Sequence, residues 1–270
     1  MTVHDSYAVL GSTGNCGTAL IENLLRNPDA HVNAYCRNRS KLLKLLPDIK
    51  EGGRVTIFEG NIQNLELLAS CMRKCRAVFL CVSTNDNIPG CCMAQDTAAA
   101  VIKALRKQGC DPTQNGVPMP KLILLSSGTV DERFSRNMPS LLLWVLLRSE
   151  YHVYQDLIET QKLLRAEEGW LPSIYVKPAM LSIDAQRGHA LSLTDQDDSP
   201  LSYLDLAAAM IEAADDEQER YVGKDVSVLN TNGKAHFPAG TPMCILVGLL
   251  LYCFPWLYPY LPTNTGPRRA

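Results

Sequence analysis

The chain has 270 residues, 46 % of them apolar and 20 % charged, with a formal net charge of -2. That apolar content can bury one large core, or one core with a small appended lobe. The balanced charge and the lack of a basic stripe exclude a nucleic-acid-binding surface.

The first element is the apolar run Tyr7-Ala8-Val9-Leu10, which opens directly into Gly11-Ser12-Thr13-Gly14-Asn15-Cys16-Gly17. Three glycines between a strand and a helix let the backbone turn tightly and approach a pyrophosphate, while the free N–H groups at the head of the helix face the anion. The spacing is G-x-x-G-x-x-G rather than G-x-G-x-x-G, and its context strengthens it. Leu20, Ile21, Leu24 and Leu25 share one helical face, and a second apolar strand, 32–36, follows about twenty residues after the first glycine. Its end reads Cys36-Arg37-Asn38-Arg39-Ser40-Lys41. A carboxylate there would bind a free ribose 2′-hydroxyl, whereas arginine accepts a 2′-phosphate. With no acid and three cations, the segment favours NADP(H); alternatively Arg39 and Lys41 merely solvate the first turn of a helix running to Leu46.

Alternation then continues with strand 55–59, helix 65–72, strand 77–81, helix 93–107, strand 121–125, helix 149–168 and strand 174–177. This order predicts an α/β fold, a Rossmann-like doubly wound parallel sheet with helices on both faces, forming a single NAD(P)-binding domain over 1–270. Ligands of such sheets bind beyond the carboxyl ends of the strands, at 11–17, Arg37, 60–62, 82–85, 126–129 and 178–181. The Gly-, Pro- and Asn-containing stretch 108–120 reads as an exposed loop, and 186–200 as a surface loop. Ser202-Tyr203-Leu204-Asp205 begins a helix with Ser199 or Ser202 as its cap. Asp195, Asp197 and Asp198 lack the glycine turn and distal Glu of a calcium loop.

The N-terminus carries no charged start followed by an apolar signal core, so the ten cysteines are expected to be reduced in a cytoplasmic protein. No Cys/His spacing suits zinc, and the cysteines read mostly as small core residues. Two apolar segments, 139–148 and 240–262, are expected on the substrate side. The first forms either a wall over the reactive end of the cofactor or a buried helix. Residues 243–261 carry no charge over nineteen positions, close to the length of a membrane span, but Pro255 and Pro259 leave only 242–254 as a continuous helix. The tail is expected to fold over the cleft or form a homodimer interface. Weak membrane-surface contact through Trp256, Tyr258, Tyr260 and Arg268-Arg269 is the alternative.

The motifs V-L-G-S-T-G-N-C-G, R-N-R after the second strand, G-N-I at 60–62, L-L-S-S-G at 124–128 and I-Y-V-K-P at 174–178 together resemble the atypical short-chain dehydrogenases/reductases of the NmrA-like group. Within it, S-Y-L-D-L-A at 202–207 and the apolar tail resemble oxidoreductases of fungal secondary metabolism, of the averufin oxidase A type. The resemblance implies bound NADP(H), a small aromatic or polyketide substrate, and a cofactor lined by Gly11, Thr13, Gly14, Asn15, Cys16, Gly17, Arg37, Asn61, Ile62, Ser83 and Thr84.

Active relatives in that group use a Tyr-x-x-x-Lys pair, the lysine lowering the pKa of a proton-donating phenol. Here Tyr151 is followed four residues on by Gln155, and Tyr154 by Ile158. Tyr151, Tyr154 and Ile158 share one helical face; His152, Asp156 and Glu159 share another, and only one set is expected to meet the cleft. If the second set looks inward, Asp156 can orient or charge the imidazole of His152 as an acid/base pair. Candidate acid/base residues are Ser127, Tyr154 and Asp156. The function expected is NADP(H)-dependent tailoring of an aromatic carbonyl; alternatives are a non-redox isomerase or cyclase on the same fold and a non-catalytic sensor of NADP(H).

Overall fold

The computed structural model describes residues 5–49, 53–108, 119–197 and 199–263. Most of the 108–120 loop, Asp198 and the Arg268-Arg269 pair lie outside the described residues. The chain runs β1 (Ser6–Leu10), α1 (Asn15–Leu24), β2 (His31–Cys36), α2 (Arg39–Leu45), β3 (Val55–Glu59), α3 (Leu65–Met72), β4 (Ala77–Leu80), α4 (Met93–Lys107) and β5 (Lys121–Leu125). It continues through a 3-10 turn (Gly128–Val130), α5 (Glu132–Ser135), α6 (Ser140–Ser149), α7 (Tyr151–Arg165), β6 (Ser173–Val176), β7 (Leu181–Ser182) and β8 (His189–Ser192). Then come β9 (Leu201–Ser202), α8 (Tyr203–Asp215), β10 (Asp225–Asn230), α9 (Thr241–Cys253) and a second 3-10 segment (Pro255–Tyr260).

The main sheet has the order β3-β2-β1-β4-β5-β6-β10-β8, parallel throughout except for β8, which runs antiparallel along β10. The order reverses between β1 and β4, the crevice in which α/β sheets hold ligands. This is a Rossmann-like fold.

Central strands buried on both faces read as unbroken apolar runs. In β1 the alternation divides one run between two cores. Tyr7 and Val9 pack with Leu20 and Ile21 of α1 and Leu206 and Met210 of α8, whereas Ala8 and Leu10 pack with Leu68 of α3, Val101 of α4 and Leu164 of α7. Side-chain caps fix several helix starts. Asn38 Oδ1 accepts from Lys41 N (2.8 Å), Asn64 Oδ1 from Leu67 N (3.1 Å), and Ser202, rather than Ser199, from Asp205 N (2.9 Å).

Three elements differ from the sequence expectation. The 186–200 stretch is not loop throughout: His189–Ser192 forms the sheet edge, and its half-buried, mixed composition is that of an edge strand. β10, which receives it, lies beyond the expected alternation. The helix expected over 149–168 starts at Tyr151, and the apolar 139–148 segment is a separate helix, α6, meeting α7 at a corner where Glu150 leaves helical geometry (φ -119°, ψ 23°).

Beyond β6, Lys177 is buried with its ammonium 2.9 Å from Asp131 Oδ2 and 2.9 Å from Asp225 Oδ1. Arg133 reaches both aspartates (3.2 and 2.8 Å), and Arg165 reaches Asp225 (2.9 Å). Burial acts to raise the Asp131 carboxyl, but hydrogen bonds from Arg133 and Lys177 outweigh it and hold the group at about 2, below its ordinary 3.8. A depressed carboxyl contributes stability that is complete above 3.8 and lost as pH falls towards 2. Removing one partner of a buried ion pair strands the other charge, so Lys177→Met should lower the unfolding free energy by roughly 3 kcal/mol. Urea denaturation at neutral pH measures the loss, and in the wild type the same transition should move to lower urea as the solution is acidified below pH 4.

Candidate active site

The turn between β1 and α1 is shaped for an anion. Gly11 has φ +87°, and a Cβ there would come within 2.6 Å of the Cys81 carbonyl oxygen; a Cβ at Gly17 would overlap the Gly11 carbonyl. Only glycine fits either position. No side chain caps α1, and its first turn holds no acid, so the N–H groups at its head remain directed outward. This cradle fits a dinucleotide pyrophosphate.

Around it the cofactor candidates differ in what they can offer. Thr13 and Asn15 are partly exposed at the turn, and the side chain of Asn15 hydrogen-bonds Tyr203 at the head of α8. Cys16 turns its thiol inward, 3.6 Å from Cys81 Sγ and 3.7 Å from Met210 Sδ, so it can line the cofactor only with its backbone. Arg37 is exposed at the end of β2, and Glu59 at the end of β3 accepts from Arg39 N (3.1 Å). Asn61 follows β3, where its carbonyl accepts from the buried Tyr35 hydroxyl (2.8 Å), with Ile62 half-buried beside it. Ser83 and Thr84 follow β4, and Thr84 Oγ1 accepts from Asp86 N (3.0 Å).

The candidate acid/base residues separate. Ser127 and Thr129, in the turn after β5, hydrogen-bond the Tyr154 phenol of α7. Ser126 instead points inward, its hydroxyl accepting from Gln161 Nε2 (2.7 Å). Burial and the nearby Glu150 push the Tyr154 phenol up to about 12, with the hydroxyls of Thr129 and Ser127 opposing the rise. Asp156 is removed from the chemistry. Its carboxylate is 2 % exposed and accepts from Ala94 N (2.8 Å), Gln95 N (3.0 Å) and Gln95 Nε2 (3.1 Å). It neutralises the head of α4 and does not orient His152; the imidazole packs edge-on to Tyr151 and is held by burial below its ordinary pKa. Of the two faces of the helix, the one carrying Tyr151, Tyr154 and Ile158 meets the cleft.

That face lines a cavity of about 480 Å³ together with Thr129, Leu143 and Leu147 of α6, Arg148, Gln155 and Tyr252 of α9. Both apolar segments therefore contribute to its walls, and α6 is not a buried helix, since Leu141, Leu142 and Trp144 are exposed while it packs against α9. The junction is tight. Asn87, 2 % exposed in the loop after β4, donates from Nδ2 to Gly248 O (3.0 Å) and Arg148 O (3.4 Å) and accepts from His152 N (2.7 Å). A side chain at Gly248 would run into the Ser149 carbonyl, so glycine lets α9 rest on the α6–α7 corner.

Sequence reasoning passes over one group, Glu150, at that corner. Burial pushes its carboxyl up to about 8, the neighbouring Asp86 adding to the rise, while a hydrogen bond from Cys244 Sγ (3.4 Å) works against it. It precedes Tyr154 by four residues, where the expected lysine would follow by four. The fold has a buried lysine, Lys177, but its ammonium is engaged by Asp131 and Asp225.

Residues 11–217 match the family described as NAD(P)H-binding. Along its length the chain is 66 % identical to oxidoreductase nsrR of Aspergillus novofumigatus, over 97 % of this chain and 98 % of that protein. It is 58 % identical to oxidoreductase ptaF of Pestalotiopsis fici, over 97 % and 99 %. A short-chain dehydrogenase/reductase of Veillonella parvula, solved in complex with NADP, shares the fold with a TM-score of 0.65 at 20 % identity, over 86 % of this chain and 97 % of that one. With a glycine cradle at the head of α1 and a family match across most of the sheet, the chain belongs to the NAD(P)H-binding family and stands among its fungal oxidoreductases.

Proposed function

We propose that this chain is an NADP(H)-dependent reductase of a carbonyl on a small aromatic or polyketide-type intermediate, with Tyr154 as the proton donor. The observation that carries the reading is the placement of the phenol. It is bonded to Ser127 and Thr129 at the carboxyl end of β5 and lines a cavity whose walls include Leu143, Leu147, Tyr151, Ile158 and Tyr252. A volume of about 480 Å³ lies in the range of small-molecule sites, and flat aromatic walls suit a flat aromatic guest.

In this reading the N–H groups of the 11–17 turn would hold the pyrophosphate and Arg37 the 2′-phosphate, with Asn61, Ile62, Ser83 and Thr84 lining the rest of the cofactor. NADPH, when bound, would supply the hydride. Tyr154 donates its hydroxyl proton to the oxygen that gains charge, and Ser127 and Thr129 orient the phenol and hydrogen-bond the phenolate left behind. A phenol held near 12 gives up its proton only to a basic oxygen, so the site works as an acid and is a poor base.

Glu150, four residues before Tyr154, acts in the opposite electrostatic sense to the missing cation. Asp86 faces it from the β4 loop, Cys244 from α9 and Tyr154 from its own helix, and below about pH 8 its carboxyl is neutral, so no anion beside Tyr154 opposes transfer. Above that, the carboxylate holds the phenolic proton more tightly.

Three outcomes follow from these roles. Tyr154→Phe should lower kcat for NADPH-dependent quinone or aryl-ketone reduction by about 10²–10⁴ while the affinity for NADPH is unchanged. In the wild type the rate should decline above about pH 8, and Glu150→Gln should abolish that decline, as stopped-flow pH profiles would reveal. Arg37→Ser should weaken NADPH binding by roughly ten- to a hundredfold and leave NADH binding unaltered, the size of one charge-assisted phosphate contact. Calorimetry decides this, and equal losses for both cofactors would remove the 2′-phosphate role. Product formation at full rate without any cofactor would replace the reductase by an isomerase or cyclase.

A further inference from the structure

Two side chains that line the Tyr154 cavity carry a formal charge, Arg148 on α6 and Glu132 on α5. Arg148 is half-buried and lies over two rings, its guanidinium carbon 4.1 Å from the centre of Trp144 and 5.8 Å from that of Tyr252. Its Nη1 donates to the Trp144 carbonyl one helical turn back (3.3 Å). Among the described residues no carboxylate pairs with it, and its remaining N–H groups meet no acceptor. The neighbouring cations differ. Arg133 reaches Asp131 and Asp225, and Arg136 reaches Asp195 (3.4 Å). Glu132 is exposed and makes no ion pair with Arg148, so the guanidinium faces the cavity with its charge unmet.

A guanidinium holds its N–H donors in one plane, so stacking covers its face and leaves the edge for acceptors. The rings also steady the side chain, and little rotamer freedom remains to be lost when a guest binds. A carboxylate matches that edge with two parallel hydrogen bonds. Leu143, Leu147, Tyr151 and Tyr252 form the wall around it, and their low polarity strengthens such a pair. Glu150, two residues further on, does not compete, because its carboxyl is neutral below about pH 8 and is hydrogen-bonded by Cys244 (3.4 Å).

We infer that Arg148 is the specificity residue of this cavity and selects an aromatic guest that carries a carboxylate. The inference rests on the reading of the Tyr154 cavity as the substrate site: Tyr154 meets the carbonyl oxygen and Arg148 the acid group, both from the lining of one cavity. Glu132 repels the same group from the α5 part of the lining and so favours one orientation of the guest.

The test compares para-benzoylbenzoate with its methyl ester, aryl ketones of similar shape that differ by one charge, by calorimetry on the full chain with NADP⁺ present. The acid should bind about tenfold tighter than the ester or better. Arg148→Met keeps an apolar stem against the rings and removes the fork; it should abolish the advantage of the acid while the ester and NADPH bind as before, which verifies the fold. Arg148→Lys, with the charge but not the fork, should restore part of it. An acid that binds no tighter than its ester overturns the inference, and so does an equal loss of both probes in Arg148→Met, which would make Arg148 a prop for the wall alone. Turnover separates this from the reductase reading. An acid held through Arg148 but never reduced by NADPH strikes that reading and leaves the inference, whereas reduction of both probes with equal kcat/KM strikes the inference and leaves the reading.

Discussion

One buried amide ties together the elements around the Tyr154 cavity. Asn87 makes three hydrogen bonds, to the α6–α7 corner at Arg148 and His152 and to α9 at Gly248, from a loop that itself follows β4 at the sheet crevice. The position of Tyr154, the cavity beside it and the burial of Glu150 all depend on α9 being seated there. An Asn in a dry junction is costly unless its donors and acceptor are met, and here both ends of the amide are engaged. The glycine at 248 is the complement of that bond, since a side chain would hold the helix off the Ser149 carbonyl.

The departure from Tyr-x-x-x-Lys then reads as a change in electrostatic logic. A lysine next to a tyrosine stabilises the phenolate and prepares the group to work as acid and base. A buried carboxyl held at about 8 adds no cation: below that pH it is neutral and burial alone keeps the phenol protonated, and above it the carboxylate tightens the proton further. Hydroxyl groups from Ser127 and Thr129 supply what stabilisation the phenolate receives. Such a site suits an oxygen that becomes strongly basic as it is reduced, and suits poorly the removal of a proton from an alcohol.

Much of this organisation is legible in the residues. Elements buried by their own periodicity, such as α4 at Met93–Lys107 and β5 at Lys121–Leu125, have the boundaries that alternation predicts. Gly11 and Gly17 can be read because the sterics of the turn are local. β8 escapes notice because an edge strand carries too mixed a pattern, and the corner at Glu150 because neither Gly nor Pro marks it. Asp156 is misread from one helix alone, since its partners are amides of α4 some sixty residues earlier. Glu150 reads in sequence as an acid suited to a helix head, and only its cover by α9 and the β4 loop turns it into a neutral group.

The order in which the parts lie along the chain has a consequence for synthesis. The glycine turn and the strands on either side of it are made within the first third of the sequence, while the partner of Asn87 in α9 lies 161 residues downstream of it. The glycine turn still packs on α8, so in a nascent chain it gains its core only once 203–215 are made, and the cavity wall from α9 follows after that. The Tyr252 wall of the cavity is thus among the last parts to be made.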